Sequence, residues 1–165
     1  MLFRQIVAAA IIVTAVPALA MQAQPMKPLK PSESVWKPAP TPPGGIPWSL
    51  LESTKETTRT DENRMIRSKP LFPAPVKALA GKRIKVNGYM LPLGKGAKQT
   101  HFVLLAYPPD CPFHLNPAPM QFIEVKVDTP VAMDYNVRTI EGTLTLGGGD
   151  EQGIYYKMLD ASEIG

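Results

Sequence analysis

Apolar and polar residues alternate along the second half of this 165-residue chain with the period of β-strands. Arg83-Ile84-Lys85-Val86-Asn87 puts every second side chain on an apolar face, and the phase shifts at Gly88 before Tyr89-Met90-Leu91. His101–Ala106 is mostly apolar and reads as a buried strand. Gln121–Val127 and Val137–Leu146 alternate again, the latter around Gly142, and Ile154–Leu159 follows the Gly147-Gly148-Gly149 turn. A glycine inside an alternating run marks a bulge or a sharp bend. Five strands, the first and fourth carrying such a glycine, predict a mainly β domain. The expected form is a small five-stranded barrel of the oligonucleotide/oligosaccharide-binding (OB) type, bent at its glycines to hide sheet edges. A small open β-sandwich is the alternative.

Ahead of the strands the pattern predicts short N-terminal helices. Ser49 with Glu52 three residues later forms a capping-box pattern, which sets a helix from Leu50 to about Glu56. Val76, Leu79 and Ala80 fit one or two further turns, ended by Gly81. Between Gln22 and Pro47 stand Pro25, Pro28, Pro31, Pro38, Pro40, Pro42, Pro43 and Pro47. Proline removes backbone donors and favours extended polyproline conformation, so residues 21–47 are expected to form a disordered, semi-rigid linker. A partner-binding tail carrying Trp36 and Trp48 is the competing reading.

The first residues follow a different logic. Arg4 supplies a positive charge, Ile6–Val16 is an apolar run dominated by Ala, Ile and Val, and Pro17 precedes the small-residue site Ala18-Leu19-Ala20. That order is a cleavable secretory signal, and the run is shorter than the roughly 20 residues that span a bilayer. The expected organisation is a signal peptide at 1–20, a linker at 21–47 and one β-rich domain at 48–165. Export to the periplasm follows, with no stable membrane insertion after cleavage.

Composition narrows the function classes. The formal charge of +4 falls to +3 without Arg4, and the Lys and Arg residues are scattered. A nucleic-acid role calls for a clustered basic footprint, so none is expected. The chain holds one cysteine, Cys111, so no intramolecular disulfide can form. An unpaired thiol in an oxidising compartment implies an intermolecular bond, a bound metal or a reactive group.

Cys111 lies in Tyr107-Pro108-Pro109-Asp110-Cys111-Pro112-Phe113-His114-Leu115-Asn116-Pro117-Ala118-Pro119, where five prolines exclude regular structure. Cys111 and His114 stand in C-x-x-H spacing, close enough for both to reach one ion. Thiolate and imidazole suit copper or zinc. His101 is the other histidine, and Met90, Met120 and Met133 are thioethers suited to copper(I), while Asp110 or Glu124 suits zinc. The candidate metal set is Cys111, His114, His101 and Met120. The plain alternative makes Cys111 a small buried hydrophobe and His114 a loop hydrogen-bonder. A Cys111 nucleophile with His114 as base lacks an orienting carboxylate. No G-x-S-x-G, phosphate-cradling glycine loop or H-E-x-x-H occurs, so an enzyme is not expected.

Several ordered motifs together resemble one bacterial exported family. They are Trp48 with Leu51, Pro70-Leu71-Phe72, Leu79-x-Gly81-Lys82-Arg83-Ile84, Gly88-Tyr89-Met90-Leu91-Pro92-Leu93, Phe102-Val103-Leu104-Leu105, Cys111-Pro112-Phe113-His114 and Pro119-x-Gln121-x-Ile123-x-Val125. The family is domain of unknown function 3299, and the match runs from Trp48 to the C-terminus. The resemblance implies a single periplasmic domain whose loop cysteine has a Cys or His neighbour, varying in identity and spacing among relatives. It also implies a gene neighbourhood, in some relatives, of envelope transport genes linked to transition metals, which is an association and gives no mechanism. The function expected is a periplasmic copper- or zinc-handling accessory protein. The alternative is a non-enzymatic interaction module of an envelope transport complex.

Overall fold

A computed structural model describes residues 37–109 and 117–165 of the chain. The expected signal segment, most of the proline-rich stretch, Asp110, Cys111 and His114 lie outside the described residues. Among the described residues no helix is long and apolar enough to cross a membrane.

Element order is α1 (Trp48–Glu52), β1 (Lys55–Thr60), β2 (Ile66–Leu71), α2 (Ala74–Lys77), β3 (Arg83–Pro92), β4 (Lys98–Leu105), β5 (Phe122–Ala132), β6 (Val137–Leu146) and β7 (Tyr156–Glu163). Strands β3 to β7 close into a five-stranded barrel in the order β3-β4-β5-β7-β6, with β6 returning to β3. All pairs are antiparallel except β5 with β7, so the barrel is mixed. This connectivity realises the OB-type barrel expected from the alternation.

The reason is visible strand by strand. Ile84, Val86 and Met90 of β3, Phe102 and Leu104 of β4, and Ile123, Val125 and Val127 of β5 are buried. So are Ile140 and Leu144 of β6, and Tyr156, Met158 and Ala161 of β7. Their alternate neighbours, among them Lys85, Asn87, Glu124 and Glu141, stay partly exposed. A barrel this narrow fills its interior with side chains, so period-two alternation is the sequence counterpart of a packed core.

The two strand glycines mark where the wall bends. A Cβ on Gly88 would meet Leu104 Cγ at 2.5 Å and the Leu105 carbonyl oxygen at 2.8 Å. Here β3 passes from β6, its partner up to Tyr89, to β4, its partner from Tyr89 onward. A Cβ on Gly142 would meet Met158 Cγ at 2.6 Å, and the β6–β7 register shifts between Glu141 and Thr143. Both positions need a missing side chain because backbone or core atoms already occupy its place.

Four expectations shift at their boundaries. The first helix spans Trp48–Glu52 and is capped by Pro47, with no side-chain cap from Ser49. Pro47 already holds the extended backbone that leads into a helix, so the helix starts before the capping-box pattern can act. Residues 55–60, expected in part to continue that helix, form β1 and pair with β2 in a hairpin separate from the barrel. Strand β5 continues to Ala132, where Val131 and Ala132 pair with Gln99 and Lys98 beyond a bulge. Finally, β7 begins at Tyr156 and runs to Glu163, so the glycine-triplet turn is a longer loop, residues 147–155.

Within the proline-rich stretch, residues 37–47 lie against the barrel. Ala39 N–H donates to the Ala106 carbonyl at 2.8 Å, and Ile46 N–H to the Lys85 carbonyl at 2.9 Å. Ala39 and Pro42 are buried. Polyproline geometry leaves Ala39 and Ile46, the residues between prolines, free to donate outward.

Candidate functional site

Helix α1 brings three functions to one end of the barrel. Trp48 and Leu51 are buried in the core, and the Trp48 indole N–H donates to the Asn87 carbonyl at 2.6 Å beside the Gly88 bend. Glu52, the last helical residue, points to the base of the loop that carries Cys111 and His114. Its Oε1 accepts from Tyr107 Oη at 3.1 Å and from Gln121 Nε2 at 3.1 Å. Tyr107 leads into that loop and Gln121 leads out of it, so one carboxylate ties both ends together. Ala106 N–H also donates to the Gln121 carbonyl at 2.9 Å, and Ala118 N–H to Gln121 Oε1 at 3.1 Å. Burial, with the Glu52 charge and hydrogen bond added to it, pushes the Tyr107 phenol above its usual range and keeps it neutral.

The candidate ligands fall in different places. Cys111 and His114 lie outside the described residues. Met120 sits in the short 3-10 turn Pro119–Gln121 at the foot of the loop, partly buried against the core. His101 stands on the outer barrel wall, paired in register with Lys126. Phe122, where β5 begins at the loop foot, is four residues from Lys126, so about 13 Å of strand separates His101 from that end. Met120 and His101 are therefore not brought together.

His101 has its own partner. Its Nε2 lies 2.7 Å from Glu124 Oε1, while Lys157 Nζ lies 3.6 Å from Glu124 Oε2. Burial opposes ionisation of Glu124, but the His101 hydrogen bond and the Lys157 charge outweigh it and hold the carboxyl below its usual range. This cross-strand trio joins β4, β5 and β7 on their outer face. Met90 is buried inside the barrel, and Met133 is exposed next to the β5–β6 connection. No three His, Cys, Asp or Glu side chains among the described residues converge to hold an ion.

A second polar cluster lies between the barrel and the hairpin. Tyr155 Oη donates to Glu56 Oε2 at 2.7 Å and lies 2.8 Å from Ser68 Oγ. Tyr156 Oη donates to the Leu51 carbonyl at 2.8 Å and lies 2.6 Å from Thr54 Oγ1. Both phenols are pushed up to about 12, first by burial, so neither ionises near neutrality. Phe72 packs edge-on to Tyr155, with centroids 6.3 Å apart, and tilted against Tyr156 at 5.8 Å. These groups satisfy one another, and their role is to seat α1 and the hairpin on the barrel.

The Glu52 brace escaped the sequence. Its partners are 55 and 69 residues away, and an acid at a helix end carries no signal of which loop it will meet. The Tyr155-Tyr156 doublet was readable only as strand.

The family model for proteins of unknown function (DUF3299) matches residues 27–158. The chain belongs to the DUF3299 family. A crystal structure of a DUF3299 family protein from Pseudomonas aeruginosa PAO1 is similar to it, with 28% identity and a TM-score of 0.44. That match covers 55% of this chain and 66% of the other, so the chain spans just under two-thirds of that protein's length. No curated protein matches the chain. The family match begins at residue 27, ahead of the Trp48 at which the motif resemblance starts, and takes in the strap of residues 37–47.

Proposed function

We propose that this DUF3299 family member is an exported accessory protein that binds a copper or zinc ion through Cys111 and His114, acting in the periplasm. The observation that supports it is the brace on Glu52, which joins the two ends of the loop carrying both residues. A ligand pair on a loop with tied ends loses less conformational entropy on binding than the same pair on a free chain. Met120, at the loop foot, is the thioether best situated to add a ligand for copper(I). His101 is held by Glu124 and serves the barrel wall in this reading.

The test is metal content and affinity of the exported protein, purified under reducing conditions, beside Cys111→Ala and Met120→Ala. Binding lost in Cys111→Ala and weakened in Met120→Ala supports the proposal. Equal binding in Cys111→Ala and wild type removes it.

A second reading, an interaction module that docks on an envelope transport complex, draws on the β1–β2 hairpin. Every residue of β1 is exposed, and the hairpin carries exposed Met65, Ile66 and Leu71.

A further inference from the structure

We propose that the hairpin β1–β2 docks an extended acidic peptide segment of a partner protein, taken up as a third strand along β1. This rests on the interaction-module reading and is independent of the metal loop.

The register sorts the hairpin into two faces. Directly opposed residues share a face, and successive residues alternate. Glu56 and Ser68 reach Tyr155, so their face is turned to the barrel. The pairs Lys55 with Leu71, Thr57 with Lys69 and Arg59 with Arg67 therefore lie on the other face. Four cations stand there. Two carboxylates meet them, with Glu151 against Arg59 and Lys69, and Asp61 2.8 Å from Arg67. The face keeps an excess of positive charge.

Arg59 and Arg67 are directly opposed, an arrangement that destabilises an isolated sheet. Each is instead held by its own carboxylate. A recess of about 350 Å³ opens among Thr57, Thr58, Arg59, Arg67, Lys69 and Glu151. The Thr57 hydroxyl and the cations around an open recess suit carboxylates carried on an extended chain.

The strand edges favour a peptide over other polyanions. In β2, Pro70 removes a backbone donor, and a Cβ on Gly148 would lie 2.6 Å from its ring. That edge is blunted by proline and a neighbouring loop. Strand β1, Lys55–Thr60, contains no proline, and among the described residues its backbone pairs only with β2. An unpaired edge of this kind accepts a strand through main-chain hydrogen bonds, while side-chain charge selects which strand. A lipid surface or a nucleic acid can satisfy the charge but not the edge.

The experiment uses the full exported chain and a fluorescent peptide of alternating Thr and Glu. Three controls accompany it, namely the same peptide with alternate amides N-methylated, duplex DNA, and vesicles of anionic lipid. The expected result is saturable binding with amide shifts confined to residues 55–60. N-methylation and the double reversal Lys55→Glu/Lys69→Glu should each weaken it at least about tenfold. Lys69 has only a long contact with Glu151 and Lys55 is exposed, so this variant should keep the fold, as its circular dichroism would verify. Absent binding, indifference to N-methylation, or equal binding of DNA or vesicles overturns the proposal. A partner captured equally by wild type and the double reversal would sink the hairpin site while leaving the module reading standing.

Discussion

The barrel and the hairpin are built from the same kind of antiparallel pairing, yet one is closed around a core and the other lies open. In β6, four residues in alternation are fully or nearly fully removed from solvent. In β1 none is. Hydrogen-bonded pairing is thus common to both, and burial is what separates them. Net stability per hydrogen bond is about 0.5–1.5 kcal/mol, whereas a fully buried large apolar side chain contributes about 1.5–3 kcal/mol. The barrel therefore sets the stability of the molecule, and the hairpin is left to carry charge. Substitutions in the two regions should show this as a graded series.

The largest effect belongs to the bend in the wall. Gly88→Val places carbon where Leu104 and the Leu105 carbonyl already sit, so either β4 moves or the barrel opens. We expect about 3 kcal/mol of destabilisation or more, measured by urea unfolding. A loss below about 1 kcal/mol would mean the barrel is more plastic than its packing implies.

Next comes the seam where hairpin and helix meet the barrel. Tyr156→Phe leaves the Leu51 carbonyl and Thr54 hydroxyl without their buried partner, at a cost of about 1–2 kcal/mol. The seam also predicts a pH response. Tyr155 and Tyr156 hold their protons to about 12 in the fold, against an ordinary value of 10.0. The unfolded chain therefore loses these protons first. Their contribution to stability should be level below about pH 10 and fall between about pH 10 and 12. The double variant Tyr155→Phe/Tyr156→Phe should flatten that fall in pH-dependent unfolding.

How much of this was legible in the sequence follows the same divide. The barrel strands were readable because a wall with one buried face writes a period of two into the chain. Gly88 and Gly142 were readable because each interrupts that period. The hairpin left no such trace, since Lys-Glu-Thr-Thr-Arg-Thr pairs without burying anything, and its neighbours to the N-terminal side carried a helix pattern. Residues 37–47 of the expected linker lie on the barrel for a related reason. Their prolines excluded helix and sheet, but only two backbone donors, those of Ala39 and Ile46, are needed to lay them on the barrel. Of the candidate site, residue chemistry pointed to Cys111 and His114, while the brace that joins their loop ends depends on contacts across 55 and 69 residues. His101 matched the ligand chemistry but pairs in register with Lys126, well down the wall from the loop foot.

The brace should give an effect of about 0.5–1.5 kcal/mol, below the seam and above the hairpin. Glu52→Ala removes the acceptor shared by Tyr107 and Gln121 at a partly exposed position. Proteolysis of the loop should quicken in this variant. If the loop holds a metal, affinity should also fall, because untied loop ends raise the entropy lost on binding.

The smallest effect is expected at the hairpin tip. Ile66 is 76% exposed and faces Thr60 across the strand pair. Ile66→Ser removes an apolar group that the fold does not bury, so its stability change should stay within about 0.5 kcal/mol. A larger loss would mean that the hairpin contributes to the core after all, and the contrast between the two regions would collapse. A negligible loss combined with a change in partner binding would sharpen it, because an exposed apolar side chain that does nothing for the fold is available to a surface that docks there.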